Sequence, residues 1–380
     1  MARSKLVSLR ECFSVVRDPR REHQRFHDLW DIIAITICAV ICGADSWPEV
    51  QEYGECKEDW LESFLELPHG IPSHDTFARV FALLDPVSFQ EGFRTWVQGL
   101  IDVTQGRVIA VDGKTLRHSF DNTKGKAALH LVGAWAAENH VLLGQQAVDS
   151  KSNEITAIPR LLEIIDVSGA IVTIDAMGCQ KEIAAKIIDK GGDYVLALKG
   201  NQENFLKDVE KLFEEAVEND FAELPNRSCR TETQGHGRNE TRLYCVVDCP
   251  PELLERYQEW KGLKTLGMVF SERQVGNEAP TVERRFYISS MEAKVKAFAG
   301  AVRGHWGIEN NLHWILDVSF HEDASRLRTG NAPENLALLR RLAASLLQKN
   351  KTAKCGVAGK RKKAGWHEDY LLEVLGAALT

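Results

Sequence analysis

Two aspartates stand at the ends of short apolar runs, Asp112 after Val108-Ile109-Ala110-Val111 and Asp175 after Val172-Thr173-Ile174. Two carboxylates held close repel, and one would take up a proton unless a cation lay between them. Magnesium suits such a pair because it prefers hard oxygen ligands and keeps positions for phosphate and water. In a two-metal site one ion activates the attacking oxygen and the other stabilises the leaving oxygen of an in-line displacement. The chemistry within reach is therefore that of the phosphodiester bond. Taken singly, each aspartate also reads as a turn former or a helix cap, and Asp112-Gly113 is a frequent turn dipeptide. Gly113-Lys114-Thr115 matches the end of a phosphate-binding P-loop, but Val108 stands where that motif needs glycine, which rejects an ATPase.

A third acid must come from a later helix, because the sheet ends by Lys199. Ile308, Leu312, Ile315 and Ser319 share one helical face with Leu316 beside them, which puts Glu309 at the border of a buried stripe and His305 one turn earlier on the same side. Asp317, Glu322 and Asp323 compete for the role, and spacing leaves all four open. A solvated helix glutamate is the plain alternative for Glu309.

The elements that must position these acids can be read along the chain. From Leu29 to about Ile101 the apolar spacing is helical, broken by Pro48, Pro68, Pro72 and Pro86. Ser73-His74-Asp75-Thr76 has the residues of a capped helix start. Val108–Val111, Leu129–Ala136 and Val141–Val148 read as three successive strands, the last two a hairpin, with the first ending at Asp112. Helix and strand then alternate: Ile155–Ile165, Ala170–Ile174, Lys181–Asp189, Tyr194–Leu198 and Glu203–Val217. The order β-β-β-α-β-α-β-α predicts an α/β fold with a ribonuclease-H-like mixed sheet, in which the strands ending at Asp112 and Asp175 are neighbours. Strand-like pieces at Thr241–Asp248, Leu266–Ser271 and Val282–Ser289 predict a β-rich insertion. Helical periodicity returns near Lys296, and Asn331-Ala332-Pro333-Glu334 resembles a capping box.

The expected organisation is an N-terminal helical, DNA-binding region over 1–104, a first part of the catalytic core over 105–220, and the insertion over 221–295. A second part of the core carrying the third acid follows over 296–349, with a basic segment over 350–380. At 380 residues more than one packed unit is expected. A net charge of -7 gives no global sign of a nucleic-acid binder. Charge is uneven, however: Lys349, Lys351, Lys354, Lys360, Arg361, Lys362 and Lys363 occur with no acid among them, the local basic surface that phosphate contact needs. Nine cysteines without a C-x-x-C pair fit a reducing cytoplasm. The apolar stretch Ile32–Ala44 is too short to span a bilayer, so no membrane is expected as a partner.

The chain resembles transposases of bacterial insertion sequences, the H-repeat-associated group of the DDE superfamily. The resemblance rests on Ile109-Ala110-Val111-Asp112-Gly113-Lys114, Thr173-Ile174-Asp175-Ala176-Met177-Gly178-Cys179-Gln180, Tyr194-Val195-Leu196-Ala197-Leu198-Lys199-Gly200-Asn201-Gln202 and His305-Trp306-Gly307-Ile308-Glu309-Asn310. It continues through Leu316-Asp317-Val318-Ser319-Phe320-His321-Glu322-Asp323 and Gly70-Ile71-Pro72-Ser73-His74-Asp75-Thr76-Phe77, so it spans nearly the whole chain. The resemblance implies that Asp112, Asp175 and Glu309 form the catalytic triad and hold two Mg2+ ions, with Mn2+ able to substitute. It implies cutting of double-stranded DNA at element ends by an activated water, then attack of the freed 3'-hydroxyl on target DNA, by a homodimer assembled on DNA in the cytoplasm, associated with the nucleoid. Other readings are a nuclease or resolvase on the same fold, and a domesticated copy that binds DNA without cutting it.

Related transposases carry Tyr, Arg and Lys around the last acid where this chain has Val302, His305 and Leu316. His305, Arg303, Arg326 and Arg328 are candidate replacements for the DNA contacts, against the reading of surface cations. In His236-Gly237-Arg238-Asn239-Glu240-Thr241-Arg242, Arg238 and Arg242 could reach DNA from an exposed hairpin tip. Lys360, Arg361, Lys362 and Lys363 are candidates in the tail. Trp306 and Trp314 could stack on an unpaired base, though buried core positions are the expectation for tryptophans on a helix.

Overall fold

The run Leu29–Cys42 is apolar on every side, and a helix of that kind must be covered on every side. In the computed structural model it is a single helix buried from Trp30 to Ile41. Asp28 starts it by accepting the Trp30 N–H at 2.8 Å, and Gly43, at φ 124°, ends it. The structure describes residues 9–100, 107–121, 125–149 and 152–376, except 220, 223, 225, 236 and 277. The ends of the sequence-based boundaries at 104, 105 and 220, and His236, lie outside these residues.

The chain forms two units, one of Met1–Val103, Gly113–Ser150 and Ile308–Thr380, the other of Thr104–Asp112 and Lys151–Gly307. In the first, the helices Leu29–Cys42, Trp47–Cys56, His74–Leu83 and Pro86–Leu100 follow the periodicity read from the sequence. The first two are bent by 96° at the break between them, and among the described residues no single helix is long and apolar enough to cross a membrane. The start of His74–Leu83 is capped from a distance: Gln51 Oε1 accepts the His74 N–H at 2.6 Å, while Ser73 Oγ lies against Thr76 Oγ1. The long helix Ala332–Lys349 starts where expected, but without the expected side-chain cap. Asn331 and Asn335 donate their amides to Leu84 O, with Asn335 also reaching Phe81 O, so they close the end of the helix His74–Leu83 instead. This helix packs on the strand hairpin through Ala337, beside Leu116 and Leu131.

That hairpin is β2 (His130–Ala136) and β3 (Val141–Ala147), antiparallel with an irregularity at Ala134/Trp135. Strand order is β3-β2-β1, where β1 is Val108–Thr115. β1 therefore continues three residues past Asp112, which corrects the reading of a strand ending there. Within this extension Lys114 pairs with Asp317 at 2.7 Å.

In the second unit the order is β1-β4-β5-β9-β8-β7-β6, with β4 at Ile171–Ile174, β5 at Asp193–Leu198, β6 at Asn226–Gly235, β7 at Arg238–Asp248, β8 at Thr265–Val275 and β9 at Thr281–Ser289. β1, β4 and β5 are parallel, with Glu154–Ile164 and Lys181–Asp189 among the helices between them. Together with β3-β2-β1 this is the ribonuclease-H-like mixed sheet expected. The insertion is present too, and it extends the sheet: β9 pairs antiparallel with β5, Val195 opposite Ser289 through Leu198 opposite Phe286. β6 escaped the sequence reading because Asn226–Gly235 buries none of its residues and so lacks the apolar alternation that marks a strand.

Candidate active site

The register between β1 and β4 sets the first two acids. Val108 to Val111 stand opposite Ile171 to Ile174, so Asp112 and Asp175 each follow the last paired residue on adjacent parallel strands. Such strands run about 4.8 Å apart, so the two half-buried aspartates stand at neighbouring backbone positions where the pairing of β1 with β4 ends. The paired stretches Val108–Val111 and Ile171–Ile174 are buried throughout, whereas β1 from Asp112 to Thr115 is not. Asp175 also forms a turn, since its Oδ1 accepts the N–H groups of Met177 at 3.1 Å and Gly178 at 3.4 Å. Turn former and candidate ligand are thus compatible roles for one side chain, with Oδ2 outside these bonds.

The turn after β4 is held closely. A Cβ on Gly178 would fall inside the van der Waals surface of Ile174 Cγ2, so only glycine lets the backbone lie on the strand's own last side chain. Cys179 is fully buried beneath, and burial pushes its thiol well above the ordinary range. From the end of β5, Asn201 Nδ2 donates to Ala176 O at 2.7 Å and Gln202 Nε2 to Cys179 O at 3.0 Å.

In the other unit, Glu309 opens a wide π turn, Glu309–His313, where the Trp314 N–H bonds to Glu309 O five residues back. Turns of this kind are rare interruptions of α-helices and are frequent at functional sites. The widened turn keeps Ile308, Leu312, Leu316 and Phe320 buried at steps of four, whereas the sequence reading placed Ile315 on that face. Glu309 is 72% exposed at its side chain and meets His313 Nδ1 at 3.1 Å, an imidazole that is almost fully buried. Burial lowers the His313 pKa, its bond to Glu309 opposing the shift. Glu309 and His313 offer ligand atoms close enough for a metal ion.

The three rival acids are committed elsewhere. Asp317 takes both its oxygens to Lys114 at 2.7 and 2.8 Å. Asp323 lies 3.7 Å from Lys114 and 3.3 Å from Arg117. Glu322 is completely buried and bonded to Arg341 at 2.7 Å. A carboxylate neutralised by a fixed ammonium or guanidinium has less to offer an incoming cation.

The cations named from the sequence fall into two groups. Arg303, Arg326, Arg238 and Lys362 are exposed. His305 is half-buried against Thr173 Oγ1 at 3.2 Å, and Arg328 donates to His118 O at 3.4 Å and lies over the Phe120 ring. Arg242 pairs with Glu240 at 2.7 Å and lies 4.2 Å above the Trp306 ring, with Arg285 at 4.5 Å from the same ring. Trp306 is thus clasped by cations, and Trp314 is 59% exposed, so neither is the core tryptophan expected.

Lys360 and Arg361 correct the reading of the tail as phosphate contacts. Lys360 Nζ donates to Leu347 O at 2.8 Å and Asn350 O at 2.6 Å, the unsatisfied carbonyls at the end of Ala332–Lys349. Arg361 donates to Ser319 O and Val40 O, ends of two further helices, and pairs with Asp45 at 2.9 Å. Both are buried, and burial lowers the Lys360 pKa. Lys363 is half-buried over the Tyr370 ring.

Residues 104–347 match the family Transposase DDE domain, and residues 10–97 match the family DDE_Tnp_1-associated. YncI, a transposase candidate of Escherichia coli O157:H7, is 45% identical over 98% of this chain and 95% of its own length. YhhI of Escherichia coli K12, an H repeat-associated transposase candidate, is 41% identical over 98% of this chain and 99% of its own. Among solved structures, the piggyBac transposase synaptic complex with hairpin DNA superposes with a TM-score of 0.46 and 11% identity, over 99% of this chain and 80% of that one. The matched family acts on DNA and uses divalent metal ions. The chain belongs to the bacterial DDE transposases, in their H-repeat-associated group.

Proposed function

We propose that this transposase cuts DNA at the ends of its element and joins the freed 3' end to target DNA, with Asp112, Asp175 and Glu309 holding two Mg2+ ions that Mn2+ can replace. The observation that supports the reading is the register that ends at Val111 opposite Ile174, with an aspartate next in each of the two neighbouring strands' sequences. The donor set fits the group: all three are carboxylates, hard oxygen ligands, and two are half-buried where paired negative charge calls for a cation.

The chemistry supplied on binding is Lewis-acid activation of water and neutralisation of the leaving oxygen. The protein's share is to orient the ligands and the DNA. The Asp175 turn holds one carboxylate oxygen, and His313 holds an oxygen of Glu309. Arg303, Arg326, Arg238 and Lys362, exposed, bear on phosphates, with Lys363 next in sequence to Lys362, while the N-terminal region over 1–104 grips the duplex in a homodimer that holds two ends.

Asp112→Asn and Asp175→Asn test the reading. Each should abolish Mg2+-dependent nicking of an end-bearing duplex while binding of that duplex survives. Unchanged nicking in either variant removes that residue from the site. Product analysis for joined strands separates a transposase from a nuclease.

A further inference from the structure

Asp175 is oriented by two tiers of hydrogen bonds, and only the inner one belongs to its own turn. In the inner tier its Oδ1 accepts the Met177 and Gly178 N–H groups. In the outer tier the carbonyls on either side of those two residues, Ala176 O and Cys179 O, accept the amides of Asn201 and Gln202. Both amides come from the short turn Gly200–Gln202 that follows β5, the parallel neighbour of β4. Two consecutive side chains of one strand's end thereby pin both ends of the next strand's metal-ligand turn. Below, the Gly178 backbone rests on Ile174 with no space for a Cβ, so the turn has no room to slide.

We infer that Asn201 and Gln202 are positioning residues for Asp175, holding its turn so that the carboxylate oxygen outside the turn faces the ion. The inference rests on the reading of Asp175 as a metal ligand and adds what orients it. A ligating carboxylate free to rotate must be ordered by the ion itself, and that cost appears as weaker metal binding. Loss of such outer partners typically costs about 10- to 100-fold in metal affinity or activity. Polar side chains that only stabilised a surface turn would leave metal affinity unchanged.

The test uses the full chain bound to an uncleavable end duplex. Mn2+ binding is measured by titration with electron paramagnetic resonance, and the Mg2+ concentration for half-maximal nicking is measured separately. Asn201→Asp keeps the shape but opposes Ala176 O with an acceptor, and Gln202→Met keeps the length without the donor. Each is expected to weaken Mn2+ binding about tenfold and to raise the Mg2+ requirement similarly. Nicking should recover at saturating metal, with duplex affinity unchanged. Wild-type Mn2+ binding in both variants overturns the inference, as does a loss of nicking that metal does not restore. Should either fold poorly, Asn201→Ser and Gln202→Leu replace them under the same criteria. Asp175→Asn is the control: Mn2+ binding unchanged there refutes the metal site itself, whereas loss there with normal binding in the amide variants refutes only the positioning role.

Discussion

Glu322 was a rival to Glu309 from sequence, and its pairing with Arg341 yields a prediction that separates a structural acid from a catalytic one. The side chain of Glu322 has no solvent exposure and that of Arg341 has 3%, with Nη1 and Oε1 2.7 Å apart. Arg340, also buried, is a second guanidinium within electrostatic reach. Removing one partner of a buried pair leaves an uncompensated charge and costs about 3–5 kcal/mol, whereas replacing both by apolar groups of similar volume is often neutral or stabilising. Arg341→Met strands Glu322 and should cost about that amount. Glu322→Met strands Arg341, and Arg340 beside it keeps the cost at the upper end. Glu322→Met with Arg341→Met should lose less than either alone, so the coupling energy in the cycle exceeds about 2 kcal/mol. Urea unfolding followed by tryptophan fluorescence measures this, provided each variant unfolds in one transition. Glu322→Gln, which keeps one oxygen acceptor for Arg341, should retain metal-dependent nicking. Loss of nicking in a folded Glu322→Gln protein, or additive single-variant costs below about 1 kcal/mol, refutes the structural assignment.

Three further outcomes are expected. Lys362→Ala with Lys363→Ala should reduce the slope of log affinity against log salt for duplex binding by about one unit per lost phosphate contact. Lys360→Met or Arg361→Met should lower the unfolding midpoint and leave that slope alone, because their donors close helix ends; a change of slope there would return them to the DNA. Asp31 is raised to about 6, chiefly by burial and next by Asp28, and one of its carboxylate oxygens has no hydrogen-bond partner. The folded state therefore holds a proton that the unfolded chain has already lost, and stability falls as pH rises from about 4 to 6, then stays level. Asp31→Asn should remove this dependence and stabilise at pH 7 but not at pH 4, as read by thermal melting at both pH values; equal gains at the two would refute it.

How far the sequence discloses this molecule depends on whether the relevant force leaves a local pattern. The strand positions of Asp112 and Asp175 are legible because apolar runs predict buried strands and the order of elements makes those strands neighbours; the register pairs the buried stretches Val108–Val111 and Ile171–Ile174. The helices of the first hundred residues were legible for the same reason, their apolar spacing being the imprint of a covered face. β6 left no such imprint, since a ribbon exposed on both sides is held by backbone bonds to β7 that any sequence can make. Glu309 is ambiguous in the sequence because Asp317, Glu322 and Asp323 compete with it at spacings that eliminate none of them, and the π turn that begins at Glu309 is announced by no side-chain period.

The deepest misreading, of the basic tail, has an instructive cause. A run of lysines and arginines without acids looks like a phosphate surface, but helix C-termini present the same demand for donors as phosphate does. Lys360 and Arg361 answer carbonyls at the ends of three helices, contacts with sequence separations of up to 321 residues that no local window contains. The same holds for Asn201 and Gln202, whose partners lie only 25 and 23 residues away yet on a different strand's turn. Motif residues beside an acid can thus serve it without touching the substrate, and a polar residue in a conspicuous motif is best assigned by asking first which backbone carbonyls nearby would otherwise be left unpaired.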